Sequence, residues 1–411
     1  MKATILGAII GDTIGSTYEF HPTKDYHFNL MEENMSYTDD SIMTIAVADW
    51  LLNDSPLSHK TLSQKMRYWG NKYRYPMGGY GGRFSGWLSR EEVGPYNSWG
   101  NGSAMRVSAV GFAFNTLEET LRYAQVSAEI THNHTEGIKG AQATAAAIYL
   151  ARTGMKKEDI RFYISKMFDY DLSRTCNDIR PDYRFEESCQ ETVPQALIAF
   201  FDSTSYEDAI RLTISLGGDA DTMGAITGAI AAAYYKEIPD HILKFTIDKL
   251  PSDLLDIVIK FEQKFGDKEE TLEFDKIICR KQFTPERITE LKPNEIFVFG
   301  SNLEGRHAGG AARIAYNEFG AIWGNGDGIQ GQSYAIPTMQ GGISTIEPYV
   351  EKFIQYAKEH PELTFLVTRI GCGIAGFTDA EIAPLFSNAP LFNNIVLPES
   401  FYKIINKQQN L

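Results

Sequence analysis

Leu216-Gly217-Gly218-Asp219-Ala220-Asp221-Thr222-Met223-Gly224 sets two carboxylates and a threonine after a glycine pair and at the start of an apolar, helix-forming run. A second stretch, Tyr37-Thr38-Asp39-Asp40-Ser41-Ile42-Met43, repeats the arrangement near the start of the chain. Each predicts a helix N-terminus, with Asp219 and Thr222 stacked one turn apart. Taken singly, either stretch reads as an N-cap, because Asp and Thr accept from the orphan backbone N–H groups there. Taken together they describe one metal site. Four carboxylates converging in a folded interior repel one another unless cations neutralise them, and all-oxygen donors suit magnesium, calcium or manganese.

Around these stretches, residues 1 to about 265 carry apolar recurrence near period 3.6, as in Ser41 to Leu52, Thr116 to Ile130, Glu136 to Arg152 and Tyr206 to Ser215. Strand-like alternation is scarce, so an all-α domain over 1–265 is expected. Gly7, Gly11 and Gly15 recur every fourth residue, and Gly224 with Gly228 does the same. Each costs about 1 kcal/mol against Ala inside a helix, and close helix–helix approach is the compensating reason.

The pattern changes after Gly266-Asp267-Lys268-Glu269-Glu270, and residues 266–293 read as a linker. Beyond it, Ile296-Phe297-Val298-Phe299-Gly300 and Phe365-Leu366-Val367-Thr368 are short β-rich runs ended by glycine loops, with helix-like segments Gly309 to Phe319 and Ile346 to Glu359 between them. A smaller α/β domain over 294–411 follows.

A chain of 411 residues exceeds what one core usually serves, and two domains are expected. A net charge of −14 disfavours broad nucleic-acid or anionic-membrane binding. Cys176, Cys189, Cys279 and Cys372 are scattered without CxxC spacing, which gives no disulfide framework and fits a reducing cytoplasm. Ala3 to Ile10 superficially resembles a signal peptide, but Asp12 interrupts it, and Met223 to Tyr235 is shorter than the ~18 apolar residues of a membrane span.

Five blocks, in order, resemble the signatures of the ADP-ribosylglycohydrolase family: Gly7-Ala8-Ile9-Ile10-Gly11-Asp12-Thr13-Ile14-Gly15-Ser16-Thr17-Tyr18-Glu19, the Tyr37–Met43 stretch, Gly100-Asn101-Gly102-Ser103-Ala104-Met105-Arg106, Ile130-Thr131-His132 and Ser215–Thr222. The resemblance covers residues 1 to about 262. It implies an all-α fold holding two magnesium ions, manganese being the alternative, and cleavage of a glycosidic bond between ADP-ribose and a modified acceptor. By position it makes Thr38, Asp39, Asp40, Asp219, Asp221 and Thr222 the metal ligands and Glu19 the catalytic acid or base. It also makes Gly100, Asn101, Gly102, Ser103 and His132 contacts to ADP-ribose, the glycines admitting backbone N–H groups to a diphosphate. Tyr183, Phe185 and the Cys189-Gln190 region fall in an insertion and carry no assigned role.

Arg369-Ile370-Gly371-Cys372-Gly373-Ile374-Ala375-Gly376-Phe377 is similar to the diphosphate loop of macrodomains, and Gly300-Ser301-Asn302 with Ala308-Gly309-Gly310 to their first glycine-rich loop. The resemblance implies an ADP-ribose-binding module over about 294–390 that uses Gly300, Asn302, Gly309, Gly310 and Gly371 to Phe377. Some hydrolytic macrodomains carry an acid where Ala375 stands, which puts independent catalysis here in doubt, with Asp379 or His307 as substitutes.

Three readings stay open at this point. The chain is a magnesium-dependent hydrolase acting on an ADP-ribosylated protein or other acceptor; a binder of ADP-ribose without turnover; or a hydrolase of a free ADP-ribosyl metabolite. The intact acid and threonine set together with Glu19 favours the first.

Overall fold

The structure is a computed structural model that describes residues 4–90, 93–266, 283–389 and 394–409. Contacts divide the chain into two units, Met1–Phe274 and Asp275–Leu411.

The first unit is helical, and no named strand occurs among its described residues. Its centre is a pair of helices, Leu6–Gly15 and Ala220–Tyr235. The first is buried along its whole length and the second from Ala220 to Ala233, as the apolar sequence on every face requires. They run antiparallel: a Cβ on Gly7 would lie 2.6 Å from the Gly228 carbonyl oxygen, one on Gly11 1.9 Å from that of Gly224, and one on Gly15 2.4 Å from that of Ala220. No side chain fits at these crossings, which is the close approach that the four-residue glycine spacing predicts. The geometry also places the C-terminal end of the first helix beside the N-terminal end of the second. Helices Asp39–Asn53, Leu117–Glu129, Thr135–Arg152 and Tyr206–Ile214 agree with the periodic segments to within two residues.

One consequence is testable at once. Gly11→Leu should cost at least about 3 kcal/mol of stability, since overpacking here strikes backbone rather than a movable side chain. Gly86, in the helix Gly82–Leu88, has open space around its Cβ position, and Gly86→Ala should instead be neutral or gain up to about 1 kcal/mol. Urea midpoints measure both; equal effects would contradict the packing account.

The second unit holds a five-stranded sheet: β1 (Glu295–Ser301), β2 (Gly328–Gln330), β3 (Ser333–Pro337), β4 (Thr364–Val367) and β5 (Ile395–Val396), in the order β2-β3-β1-β4-β5. All pairings are parallel except β2 with β3. The continuous apolar run of β1 is explained by burial of both faces. Ile296 and Val298 join the core beneath the helix Ile343–Glu359, while Phe297 and Phe299 face the opposite core with Ala312 and Ala315 of the helix Gly310–Glu318.

The segment read as a linker divides. Residues 267–282 lie outside the described residues. Thr284, by contrast, donates its N–H to Leu397 and its hydroxyl to Val396, and Ile288 packs into the sheet's core, so the sheet's packing already begins there. Among the described residues, no helix is long and apolar enough to cross a membrane, and Cys176, Cys189 and Cys372 are free thiols.

Candidate metal and catalytic site

The antiparallel glycine pair decides where the acids meet. Asp12 sits on the first helix one residue after Gly11, and Asp221 lies in the first turn of the second helix, beside Gly15. Oxygens of Asp12, Asp40 and Asp221 lie within 4.8 Å of one another, as do oxygens of Glu19, Asp219 and Asp221. Asp221 belongs to both groups, so the two sequence stretches do converge, and Glu19 lies at the rim of the same cluster.

The two helix starts differ. Thr38 is an N-cap, its hydroxyl accepting from Asp40 N at 3.2 Å. Asp219, at the equivalent position of its helix, makes no capping hydrogen bond. Its Oδ2 instead accepts from Asn101 Nδ2 at 2.7 Å. The capping reading therefore accounts for Thr38 and leaves Asp219 free to serve the cluster.

Asp12 is the residue that the sequence reading passed over. Its two oxygens accept from the Thr38 N–H at 3.0 Å, the Thr38 hydroxyl at 2.6 Å, the Ser41 N–H at 3.1 Å and the Ser41 hydroxyl. Three of these contacts fall on Oδ2 and one on Oδ1, so Asp12 is largely committed to the start of the Asp39–Asn53 helix. It moors the N-terminus of that helix to the central pair, with an oxygen within 4.8 Å of Asp40 and Asp221. The one charged residue in an otherwise largely apolar ten-residue helix was the available signal.

Burial dominates the electrostatics. It raises Asp12 and Asp219 to about 6, against the hydrogen bonds they accept, and it raises Asp39, Asp40 and Asp221 well above the carboxylate range with mutual repulsion added. Glu19, half-buried, is pushed up to about 8 by desolvation first, then by Asp221, Asp12 and Glu187. Such a set is stable only when protons or cations neutralise it.

The donors fit hard divalent cations. They are all oxygen, and Asp40 Oδ1 and Glu19 Oε2 are buried with no hydrogen-bond partner, which is how an interior ligand atom stands before its ion arrives. Thr222 is buried and its hydroxyl has only the soft Met105 sulfur at 3.8 Å, leaving its lone pairs free.

A cavity of about 310 Å³ opens over the cluster; its lining includes Glu19, Asp39, Asp40, Asp219, Asp221 and Thr222 together with Gly100, Asn101, Gly102, Met105, Arg106 and His132. The lining also takes in Gly79, Gly81, Gly82, Arg83 and Phe84 with Tyr96, Ser98 and Glu187, which the sequence reading had not singled out. Gly78 adopts φ +74°, and a Cβ there would come 2.6 Å from Glu19 Oε2; the bare backbone closes over the carboxylate. A larger groove of about 1470 Å³ follows the outer face of the helix His59–Lys72 and contains none of the clustered acids.

Three residues expected at the ligand are placed otherwise. Ser103 does not line the cavity; its hydroxyl donates to Gly137 O at 2.7 Å. Asn101 lines it but commits its amide to Asp219 and Thr192, so it braces an acid. Thr38, wholly buried, faces Asp12 and is absent from the lining. His132 shares a hydrogen bond of 2.7 Å with Thr131 through Nδ1, and burial and Arg106 lower its pKa, which keeps the imidazole neutral.

In the second unit the glycine loops gather at the C-terminal ends of β1, β3 and β4. A Cβ on Gly300 would lie 3.2 Å from Thr338 Oγ1 and 3.3 Å from Gly371 N, and one on Gly309 3.2 Å from Ile374 Cδ1. Gly310, Gly373 and Gly376 have open space there. Asn302 staples its own loop, accepting from Arg306 N and donating to Arg306 O, which leaves its amide little to offer a ligand. Cys372 and Phe377 pack against the core, and Ala375 is half-buried. Of the substitutes for an acid at 375, Asp379 is paired with Arg369 at 2.9 Å and His307 is buried with Nε2 toward the carbonyls of Ile322 and Asn325.

The helical unit has counterparts among known proteins. The ADP-ribosylglycohydrolase family model matches residues 1–269. ADP-ribosylarginine hydrolase Tri1 of Pseudomonas putida is 27% identical over 263 residues, covering 57% of this chain and 70% of that protein. ADP-ribosylhydrolase ARH3 of Homo sapiens is 25% identical over 310 residues, covering 57% and 85%. A solved structure described as an ADP-ribosylglycohydrolase-related protein complex aligns at TM-score 0.50 and 22% identity over 63% of this chain and 95% of that one, a likeness of fold. With the family model spanning well over half its length, the chain belongs to the ADP-ribosylglycohydrolase family of hydrolases.

Proposed function

We propose that this chain removes ADP-ribose from a modified protein side chain by hydrolysing the glycosidic bond, with two magnesium ions as cofactors and manganese as a substitute. The observation that carries the reading is the convergence of Asp40, Asp219 and Asp221 beneath a cavity whose rim holds Glu19. Asp40, Asp219 and Asp221, with Asp39 and Thr222, are the proposed metal ligands; Thr38, expected as a sixth, is committed to Asp12 and to the cap of its helix. Bound divalent ions at such a site fix ribose hydroxyls, lower the pKa of water and offset developing charge.

The rest falls to the chain's own residues. A glycosidic bond breaks through an oxocarbenium-like state and needs a carboxyl group for proton transfer. Glu19 meets the requirement: Oε2 is buried without a protein partner, and its raised pKa keeps a proton available near neutral pH. In the proposed role Glu19 Oε2 gives its proton to the departing acceptor atom and, once ionised, takes one from the attacking water. The backbone of Gly78 packs directly against Glu19 Oε2. Asn101 holds Asp219 in place, while Gly100, Gly102 and His132 border the substrate.

For the second unit, over 294–411, we propose an ADP-ribose-binding, macro-like module that uses the loops around Gly300, Gly309, Gly310 and Gly371 to Phe377. Its support is the gathering of those loops at the carboxyl ends of parallel strands, where α/β sheets bind ligands, and open backbone at Gly310, Gly373 and Gly376.

Both are tested by incubating the full chain with proteins ADP-ribosylated on arginine or on serine, with magnesium or with chelator, and measuring released ADP-ribose. Release that needs magnesium supports the hydrolase. ADP-ribose binding without release from either substrate would favour the binder instead.

A further inference from the structure

The cavity lining holds two arginines besides its acids, and among the described residues neither is paired with a carboxylate. Arg106 is 1% exposed and lies in the cavity wall. Its Nη2 donates to Ser127 O at 2.9 Å and Thr131 Oγ1 at 2.8 Å, both uncharged, and its Nε has no acceptor. The only groups that raise its pKa are Tyr96 and Cys189, so no carboxylate balances it, and it stays cationic with a pKa of about 10. Burying a cation without a counter-ion is expensive, and among the described residues no carboxylate is paired with this one.

Arg83, in the Gly79–Phe84 run, lines the same cavity. It is exposed, its guanidinium lies 5.6 Å from the Tyr96 ring centroid, and among the described residues it forms neither an ion pair nor a hydrogen bond. Tyr96, also in the lining, feels the charge of both arginines. His132, the other basic group in the lining, is held neutral, so the positive charge belongs to the arginines. The side-chain-free positions Gly100 and Gly102 line the same cavity.

We infer that Arg106 and Arg83 take the diphosphate of the substrate as their missing counter-anion, an assignment that rests on the ADP-ribosyl reading above. The acid cluster then receives the ribose that reacts and the two arginines the diphosphate. Arg106 also anchors the Ser127–Thr131 turn that carries His132, so its charge and its positioning role must be separated by experiment.

Inhibition of turnover reads only the cavity, whatever the second unit binds. With the full chain and magnesium, the inhibition constants of ADP-ribose and of adenosine are measured for wild type, Arg83→Gln, Arg106→Met and Arg106→Lys. Loss of one charged hydrogen-bonding group should raise the ADP-ribose constant roughly ten- to hundred-fold and leave that of adenosine unchanged. Arg106→Lys should recover part of the loss and Arg83→Gln should flatten the salt dependence. An unchanged ratio of the two constants in Arg83→Gln and Arg106→Met, or an equal loss for both inhibitors, overturns the assignment. Should wild type release no ADP-ribose, the hydrolase reading fails by itself. Titration with inorganic pyrophosphate then decides for the arginines: weaker binding by Arg83→Gln supports them, and equal binding refutes them.

Discussion

Glu19→Gln is expected to lower kcat for ADP-ribose release by roughly 10²–10⁴-fold, the usual contribution of a positioned general acid or base, while divalent-cation binding survives. The amide keeps the size of the carboxyl group and loses only the proton it passes on. Because Glu19 lies at the rim of the acid cluster, within reach of Asp219 and Asp221, the substitution also removes repulsion, and the variant should be no less stable than wild type. A companion change separates chemistry from shape. Gly78→Ala forces an L side chain into a positive-φ position and against Glu19 Oε2, so kcat should fall with KM nearly unchanged. Full activity in Glu19→Gln, measured alongside magnesium-dependent thermal stabilisation, would remove Glu19 from the mechanism.

The second large effect concerns stability without metal. Asp12 and Asp219 titrate at about 6 and Glu19 at about 8 in the fold, with Asp39, Asp40 and Asp221 raised further. All lie above their unfolded values near 4. In that interval the folded chain therefore holds more protons than the unfolded chain, so stability falls as pH rises from about 4 to about 8. Metal-free protein should thus melt progressively earlier across this range, opposite to the usual gain on leaving acid. Magnesium at a hundred times its Kd should restore about 2.7 kcal/mol. Asp221→Asn, which deletes the carboxylate shared by both groups, should raise metal-free stability at neutral pH by at least about 1.4 kcal/mol, the worth of one pK unit, and abolish the response to magnesium. Scanning calorimetry of both proteins with chelator and with magnesium checks this; a wild-type melting temperature that climbs with pH in chelator would contradict the buried acid cluster.

How much of this could be read from the chain depends on the kind of signal. The glycines every fourth residue could be read directly, because few local rules tolerate them in a helix and backbone contact is the obvious exception. Asp219, Asp221, Asp39 and Asp40 were visible as acid pairs at helix starts. Asp12 was not, since one acid in an apolar run carries no partner in sequence; its partners Thr38 and Ser41 lie 26 and 29 residues away. The same holds for Asn101, whose amide reaches Asp219 across 118 residues. Ser103 shows the opposite failure: a serine in a glycine loop looked ligand-facing, yet the carbonyl of Gly137 claims it. In the second unit the strands were plain from their apolar runs, and the helix Ile343–Glu359 starts three residues earlier than the pattern suggested, with Pro348 inside it.

The crossing of Leu6–Gly15 with Ala220–Tyr235 acts as a caliper for the chemistry. Asp12 and Asp221 ride on opposite jaws, and the jaws touch main chain to main chain, so the span between the acids is set by atoms that no single substitution can trim. Enlarging any one glycine opens the jaws and loosens the grip on cations before it alters the substrate chamber. Changes in acceptor preference, in the laboratory or in lineage, should therefore collect on the Gly79–Phe84 run and around Glu187, leaving the hinge-like core untouched.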